Sequence, residues 1–176
     1  EWKVAVLADE AHNLIDRARE MYSIELQPAR LAALRKIVPA ALKRPLGRLQ
    51  KAWDALHDNA REYTVLNELP ADVTVTLQNV IVKIADWQSQ HPLETGPELL
   101  QFYFDVLHFQ RLLEMLGPHS FIDLLTPAHG SSRALRIRNV IPAPHLAPRI
   151  AACQTLSLFS ATLTPPELYR HLLGLP

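Results

Sequence analysis

The sequence has one cysteine, Cys153, among its 176 residues, so one chain cannot form an internal disulfide bond. A lone cysteine favours a reducing, cytosolic setting. The five glycines do not form a Gly-x-x-x-x-Gly-Lys-Ser/Thr loop, which is the usual cradle for nucleotide phosphates. No apolar run approaches the length that crosses a bilayer, so we expect no membrane partner.

The spacings that mark metal sites and activated nucleophiles are also missing. The eight histidines show neither a His-Glu-x-x-His nor a Cys-x-x-Cys pattern, which argues against a structural zinc site. No Gly-x-Ser-x-Gly elbow occurs. Nearly half of the residues are apolar (48%) and a fifth are charged (20%). This composition is typical of a folded domain with a buried core.

Charge is balanced overall but is unevenly distributed along the chain. The sequence holds 18 Lys and Arg against 18 Asp and Glu, yet Arg30–Lys51 contains no acid at all. Clusters of cations bind nucleic-acid phosphates, although many are simply solvated helix faces. The candidates for phosphate binding are Arg35, Lys36, Lys43, Arg44, Arg48 and Lys51.

Apolar residues in the middle of the chain recur at alternating steps of three and four, which is the spacing of one helix face. The first stripe consists of Leu46, Leu49, Trp53, Leu56, Ala60 and Tyr63. The second consists of Val73, Leu77, Val80, Ile84 and Trp87, and the third of Leu99, Phe102, Val106, Phe109, Leu113 and Leu116. With a shorter helix around Pro28–Val38, they predict a helical bundle. Because Trp53 and Trp87 fall on the stripes, we interpret both as core.

Two short apolar runs near the ends of the chain predict buried strands of a parallel sheet. The first ends at Ala8 and the second is Thr155–Phe159. Two further strands are predicted at Phe121–Leu125 and Leu135–Ile141, separated by a turn at 129–132. The predicted fold is therefore mainly α with a small α/β part. Whether the two terminal strands pair with each other is left open.

Polar residues follow both terminal strands directly. Asp9-Glu10-Ala11-His12 follows the first, and Ser160-Ala161-Thr162 follows the second. An Asp at the tip of a parallel strand can hold Mg²⁺ against nucleotide phosphates, and a neighbouring Glu can orient the attacking water. The alternative is that the two acids simply begin a helix, where they suit its dipole.

These motifs resemble those of a helicase family. Asp9–Leu14 resembles motif II of the DEAH-box helicases, especially of the XPD/DinG branch of superfamily 2. Leu158–Pro165 resembles motif III of that branch, and Leu172–Leu175 fits its usual continuation. The middle of the chain matches by position and helicity alone. In that family this stretch carries the Arch, a helical insertion that helps to form the opening for single-stranded DNA.

The resemblance implies a domain plan and a set of residue roles. A helical-bundle Arch, residues 27–130, would interrupt a split RecA-like motor domain formed by residues 1–26 and 131–176. Asp9 would be the Mg²⁺ ligand and Glu10 the catalytic base. His12 would link the nucleotide site to motif III, and Ser160 with Thr162 would complete that link.

The resemblance also implies cofactors and partners. The parent protein would use ATP and Mg²⁺ and would carry an iron–sulphur cluster on four cysteines upstream of motif II, outside this chain. Lacking the phosphate loop, residues 1–176 would be an inactive internal part of an ATP-dependent helicase of DNA repair or replication. Its expected partners are single-stranded DNA, the remaining helicase domains and an accessory protein on the Arch. The expected location is the bacterial cytoplasm, at the nucleoid.

Two other functions compete with this interpretation. The bundle could be a protein-interaction module whose basic run is merely solvated. A metal-dependent nuclease that uses Asp9 and Glu10 is the third candidate. It would need more carboxylates near the same strand tip, whereas the nearest are Asp16 and Glu20.

Overall fold

The computed structural model describes residues 4–56, 63–125 and 133–176. Its elements, in chain order, are β1 (Ala5–Ala8), α1 (Leu14–Met21), β2 (Ile24–Leu26), α2 (Pro28–Ile37), α3 (Ala40–Asp54), β3 (Tyr63–Leu66), α4 (Ala71–Gln90), α5 (Pro97–Glu114), β4 (Ser120–Leu125), β5 (Ala134–Asn139), α6 (Ala143–Ala151), β6 (Thr155–Leu158) and α7 (Pro166–Leu173). A 3₁₀ turn at Ala11–Asn13 precedes α1. The prediction of a mainly α fold with a small α/β part is confirmed. Among the described residues, no helix has both the length and the apolar composition of a membrane span.

The described residues form two compact units. The first unit contains the chain up to Ser23, together with Gly117–Ser120 and Arg138–Pro176. The second unit contains the described parts of Ile24–Leu116 and Phe121–Ile137. The predicted domain boundaries at 26/27 and 130/131 divide the chain by function as well as by packing. They therefore stay a prediction.

In the first unit, β1 and β6 pair in parallel, with Ala5 opposite Thr155 and Ala8 opposite Leu158. This pairing answers the question that the sequence leaves open. The helix α7 packs against both α1 and α6. It ends at Leu173, and Gly174 caps it in the left-handed conformation with φ 70°, which glycine adopts without steric cost.

The second unit combines α2–α5 with a sheet of strand order β2-β5-β4-β3. The helix α3 packs against α2 and α4, and α5 packs against α4. The predicted stripes supply the core: Leu46, Leu49, Trp53, Val73, Leu77, Val80, Ile84, Leu99, Phe102, Val106 and Phe109 are buried. The predicted strands at Phe121–Leu125 and Leu135–Ile141 correspond to β4 and β5.

The first helical stripe is wrong at its C-terminal end. The helix α3 ends at Asp54, and Tyr63 begins β3, opposite Leu125 of β4. The aromatic and β-branched sequence Tyr-Thr-Val favours a strand, and its helical spacing from Trp53 is accidental. The stripe residue Ala60 and the predicted turn at 129–132 lie outside the described residues.

Candidate functional site

The two polar motifs lie side by side because the strands before them pair in parallel. Ala8 and Leu158 are the last paired residues of β1 and β6. The pairing continues beyond them, since the Phe159 N–H donates to the Ala8 carbonyl at 3.1 Å. The Ala11 N–H then donates to the Phe159 carbonyl at 3.2 Å. The carboxyl ends of the two strands therefore bring both motifs to one edge of the sheet.

Backbone geometry turns the acidic pair outward. Glu10 has φ 51° and ψ 42°, and it is the one non-glycine residue with a positive φ in the described parts of the chain. That conformation costs on the order of 1–3 kcal/mol for a residue with a Cβ. The Glu10 N–H donates to Asp9 Oδ1 at 2.8 Å, and Ala11 is fully buried. These contacts hold the turn, and the side chains of Asp9 and Glu10 remain exposed.

His12 joins the two motifs through one ring nitrogen. Its Nδ1 lies 2.7 Å from Ser160 Oγ and 3.2 Å from Glu10 Oε2. A carboxylate oxygen can only accept a hydrogen bond, whereas a hydroxyl can do both. The geometry therefore favours the tautomer that carries its proton on Nδ1, with Ser160 Oγ as the acceptor.

This arrangement differs from a nucleophilic triad. In a triad the serine and the carboxylate contact opposite nitrogens of the histidine, so that one nitrogen removes the serine proton while the other is held by the acid. Here Ser160 and Glu10 share Nδ1. Ser160 therefore accepts a structural hydrogen bond and is not activated for attack.

Thr162 lies in the same turn and makes its contacts there through its backbone. Its N–H points to Ser160 Oγ at 3.4 Å, and its carbonyl accepts a hydrogen bond from the Tyr169 hydroxyl at 3.3 Å. The structure thus brings His12, Ser160 and Thr162 together. The roles assigned to these residues stay predictions. No pattern in the sequence points to Tyr169, because its contact depends on where α7 packs.

The acidic pair has the ligand types that suit Mg²⁺. Magnesium is bound by one or two carboxylates together with substrate phosphates and water, and rarely by a closed protein cage. Asp9 and Glu10 are adjacent and exposed. No group of three or more His, Cys, Asp or Glu residues that could hold a metal occurs among the described residues. The two exposed carboxylates therefore fit an open magnesium site better than a closed one.

The six predicted phosphate-binding cations lie on α2 and α3, and all six are exposed. On α3, the buried side carries Leu42, Leu46, Leu49 and Trp53. Helical spacing puts Arg44, Arg48 and Lys51 on the side away from that stripe, and Lys43 at its flank. Within the part of the chain that the structure describes, none of the six has a carboxylate within ion-pair distance. By contrast, Arg30 of α2 pairs with Asp105 at 2.8 Å.

The large aromatic residues have structural contacts. Trp53 is 2% exposed, and its indole N–H donates to the Arg133 carbonyl at 2.8 Å, so its interpretation as core is confirmed. Trp87 is half-buried and stacks on His91 with ring centroids 3.7 Å apart. The Tyr63 hydroxyl bonds Asp123 Oδ1 at 2.9 Å. All three side chains thus make contacts within the protein.

Comparison with solved structures identifies XPD helicases as similar folds. A structure described as an XPD helicase matches with a TM-score of 0.59 and 18% identity, over 98% of this chain and 30% of that one. One described as XPD in the apo form matches with a TM-score of 0.56 and 19% identity, over 97% and 32%. A truncated XPD matches with a TM-score of 0.56 and 17% identity, over 96% and 47%.

These matches confirm the expected resemblance at the level of the fold. The chain spans roughly a third to a half of the length of the XPD structures that it matches. No family model matches the chain, and no curated protein matches it. The chain is therefore similar in fold to a part of these XPD structures.

Proposed function

We propose that the chain is an internal part of an ATP-dependent DNA helicase of the XPD/DinG type. The observation that carries the proposal is the 2.7 Å hydrogen bond between His12 Nδ1 and Ser160 Oγ. It joins two residues 148 positions apart, each just beyond one of two paired parallel strands. The likeness to XPD structures over nearly the whole chain supports the same proposal.

In this proposal the acidic pair serves nucleotide hydrolysis. Asp9 would hold Mg²⁺, which neutralises phosphate charge when it is bound with ATP. Glu10 would orient the attacking water and accept its proton. Its left-handed backbone supports this role, because the turn keeps the carboxylate exposed beside Asp9. Phosphoryl transfer needs chiefly positioning and charge compensation, and these two side chains can contribute to both.

His12 and Ser160 would couple that chemistry to movement of the second motif. Nδ1 is near both Glu10 and Ser160, so a shift of the segment after β6 would change the partner of the Nδ1 proton. Thr162 would help through its backbone contact with Ser160. A hydrogen bond of this kind contributes about 0.5–1.5 kcal/mol, which suits a contact that must break and re-form.

The helical region would act as the Arch and guide single-stranded DNA along the exposed cations of α2 and α3. Six exposed cations without ion-pair partners among the described residues support this path, since phosphates can neutralise them. The remaining helicase domains and an accessory protein on the Arch would be its protein partners. The setting would be DNA repair or replication in the bacterial cytoplasm.

The alternative is a helical protein-interaction module. Leu100 and Phe104 lie one turn apart on α5 and are 39% and 55% exposed. Apolar pairs of this kind can anchor a partner helix. In this case the chain would bind no DNA, and reversing the charge of α3 would leave partner binding unchanged.

Fluorescence anisotropy with a labelled single-stranded oligonucleotide tests the proposal. The unsubstituted chain should bind the oligonucleotide at low salt, and the variant Arg44/Arg48/Lys51→Glu should lose that binding. The control is Arg30/Lys83/Arg111→Glu, with the same change in net charge at cations that already have carboxylate partners. Equal losses in both variants would contradict a DNA path along α3.

An ATPase assay tests the predicted inactivity of residues 1–176. Residues 1–176 contain no phosphate loop, so we expect no ATP hydrolysis by this chain with Mg²⁺, with or without DNA. Hydrolysis that disappears in Glu10→Gln would contradict that expectation.

A further inference from the structure

A glycine in the middle of α3 makes room for an arginine of α2. A Cβ added to Gly47 would lie 3.2 Å from Arg35 Nη2, 3.6 Å from Cζ and 3.8 Å from Nε. The guanidinium group therefore lies over the bare backbone of α3. A side chain at position 47 would occupy the same space.

The backbone itself does not require glycine at position 47. Gly47 is inside α3, and among the glycines of the described residues only Gly174 has a positive φ. Glycine in a helix interior is destabilising by about 1 kcal/mol relative to alanine. The space that it leaves for Arg35 is thus the feature that distinguishes Gly47 from a better helix former.

The position of Gly47 brings cations of two helices together. Lys43 and Lys51 lie one helical turn before and after Gly47, and Arg44 and Arg48 lie on the adjacent row of α3. Arg35 thus fills a gap in a row of cations. From Lys43 to Lys51 the row is about 12 Å long, from a rise of 1.5 Å per residue. We call Arg35, Lys43, Arg44, Arg48 and Lys51 the basic face.

The five cations of the basic face repel one another electrostatically. All five side chains are exposed, and in residues 4–56, 63–125 and 133–176 none has a carboxylate partner. Like charges on neighbouring helical positions are destabilising. An arrangement that brings a fifth cation to four others therefore points to an anionic ligand with several charges.

The aromatic content of α2 and α3 indicates which part of a ligand the cations bind. The aromatic residue in α2 and α3 is Trp53, which is buried and bonded to the Arg133 carbonyl. Binding of bases requires exposed rings on which they can stack. The two helices thus offer positive charge without a stacking platform, which suits contact with a phosphodiester backbone.

We propose that Gly47 is a positioning residue that seats Arg35, and that the resulting basic face binds the phosphates of single-stranded DNA without contacting its bases. This inference rests on the proposed function, because it assumes the same DNA path. It goes further in assigning a role to Gly47 and in naming the part of the DNA that is recognised.

The test measures anisotropy for four forms of the full 176-residue chain: the parent, Arg35→Gln, Gly47→Leu and the double variant. Leucine favours the helix over glycine, keeps every charge and displaces the guanidinium. We expect Arg35→Gln and Gly47→Leu each to weaken binding about eightfold at about 50 mM salt, from a slope of about 0.7 per phosphate contact. The double variant should be no weaker than either single variant, because both remove one contact.

Two controls sharpen the test. Gly47→Ala should weaken binding less than Gly47→Leu, since its Cβ would lie 3.2 Å from the end of a flexible side chain and requires only a small shift of it. An abasic oligonucleotide should bind as tightly as oligo-dT, because the phosphates are unchanged. Thermal melts followed by circular dichroism establish that each variant is folded.

The outcomes separate this inference from the proposed function. Absence of DNA binding by the folded parent chain would overturn the DNA path and this inference with it. If the parent binds but Gly47→Leu binds equally well, the role of Gly47 is refuted and the DNA path stands. Loss of binding to the abasic oligonucleotide would refute recognition of the backbone alone.

Discussion

Replacing Ser160 by alanine should loosen the paired tips of β1 and β6. The substitution removes the hydroxyl that lies 2.7 Å from His12 Nδ1. It also removes the 3.4 Å contact from the Thr162 N–H. Because the contact with His12 joins segments 148 residues apart, its loss should be felt locally at the strand tips.

The magnitude follows from the geometry of the bond. A short hydrogen bond between partly buried side chains contributes about 1 kcal/mol net. The neighbouring contact between His12 and Glu10 adds little, since the Glu10 side chain is 65% exposed and solvent weakens exposed electrostatic contacts. We therefore expect Ser160→Ala and His12→Ala each to cost about 1 kcal/mol, with a coupling energy of similar size.

Native-state hydrogen exchange is a suitable assay because it reports on single amides. The N–H groups of Ala11 and Phe159 bond across the strand tips. A loss of about 1 kcal/mol should speed their exchange about fivefold, given that 1.4 kcal/mol corresponds to a factor of ten. Ser157→Ala provides the control, because it deletes an exposed hydroxyl from the same strand.

Two results would refute this account of His12 and Ser160. The first is exchange at Ala11 and Phe159 that is unchanged in Ser160→Ala. The second is strict additivity in the double variant His12→Ala/Ser160→Ala, to within about 0.3–0.5 kcal/mol, which would mean that the two side chains do not interact.

Three further predictions concern stability. Gly174→Ala should lower the melting temperature, since φ 70° disfavours a Cβ; a cost of about 1–2 kcal/mol corresponds to roughly 2–8 °C in a thermal melt. Trp53→Phe leaves the Arg133 carbonyl without its indole donor and should cost about 1–3 kcal/mol in urea unfolding. Burial lowers the pKa of His145 below its ordinary value of 6.5, so the folded chain binds that proton less readily than the unfolded chain. The contribution of His145 to stability should be present above that ordinary value and lost as the pH falls below it, through the lowered pKa of the folded chain. The variant His145→Phe should reduce the loss of stability measured between about pH 8 and about pH 5.5.

The spacing of apolar residues along the sequence was sufficient to predict much of the fold. The stripes of α4 and α5 follow helical spacing, and their residues Val80, Ile84, Val106 and Phe109 are buried. Periodicity works here because each of these helices has one face against the core. It fails for β2, which has three residues, too few to reveal a period. Periodicity also fails for Tyr63, because this strand residue lies at a helical spacing from Trp53 by chance.

The candidate site depends more on tertiary structure. The sequence shows that polar motifs follow two strands, but the pairing of β1 with β6 is what brings His12 to Ser160. The strained backbone of Glu10 has no signal in the sequence, since glutamate rarely adopts a positive φ. The contact between Arg35 and Gly47 likewise depends on the packing of α2 against α3.

The cations gave a clear signal in the sequence but an incomplete one. A run without acids marks all of Arg30–Lys51 alike. The structure separates Arg30, which pairs with Asp105, from the basic face. Only the folded chain reveals which cations are already neutralised, because Asp105 is distant in sequence.

The salt dependence of single-stranded DNA binding by the intact chain tests the central claim most directly. Five phosphate contacts through the basic face predict a slope of log affinity against log salt near −3.5, from about −0.7 per contact. Affinity should then fall by about a hundredfold between about 50 mM and about 200 mM salt. A flat salt dependence, or no binding by folded protein at low salt, would contradict a DNA path along α2 and α3.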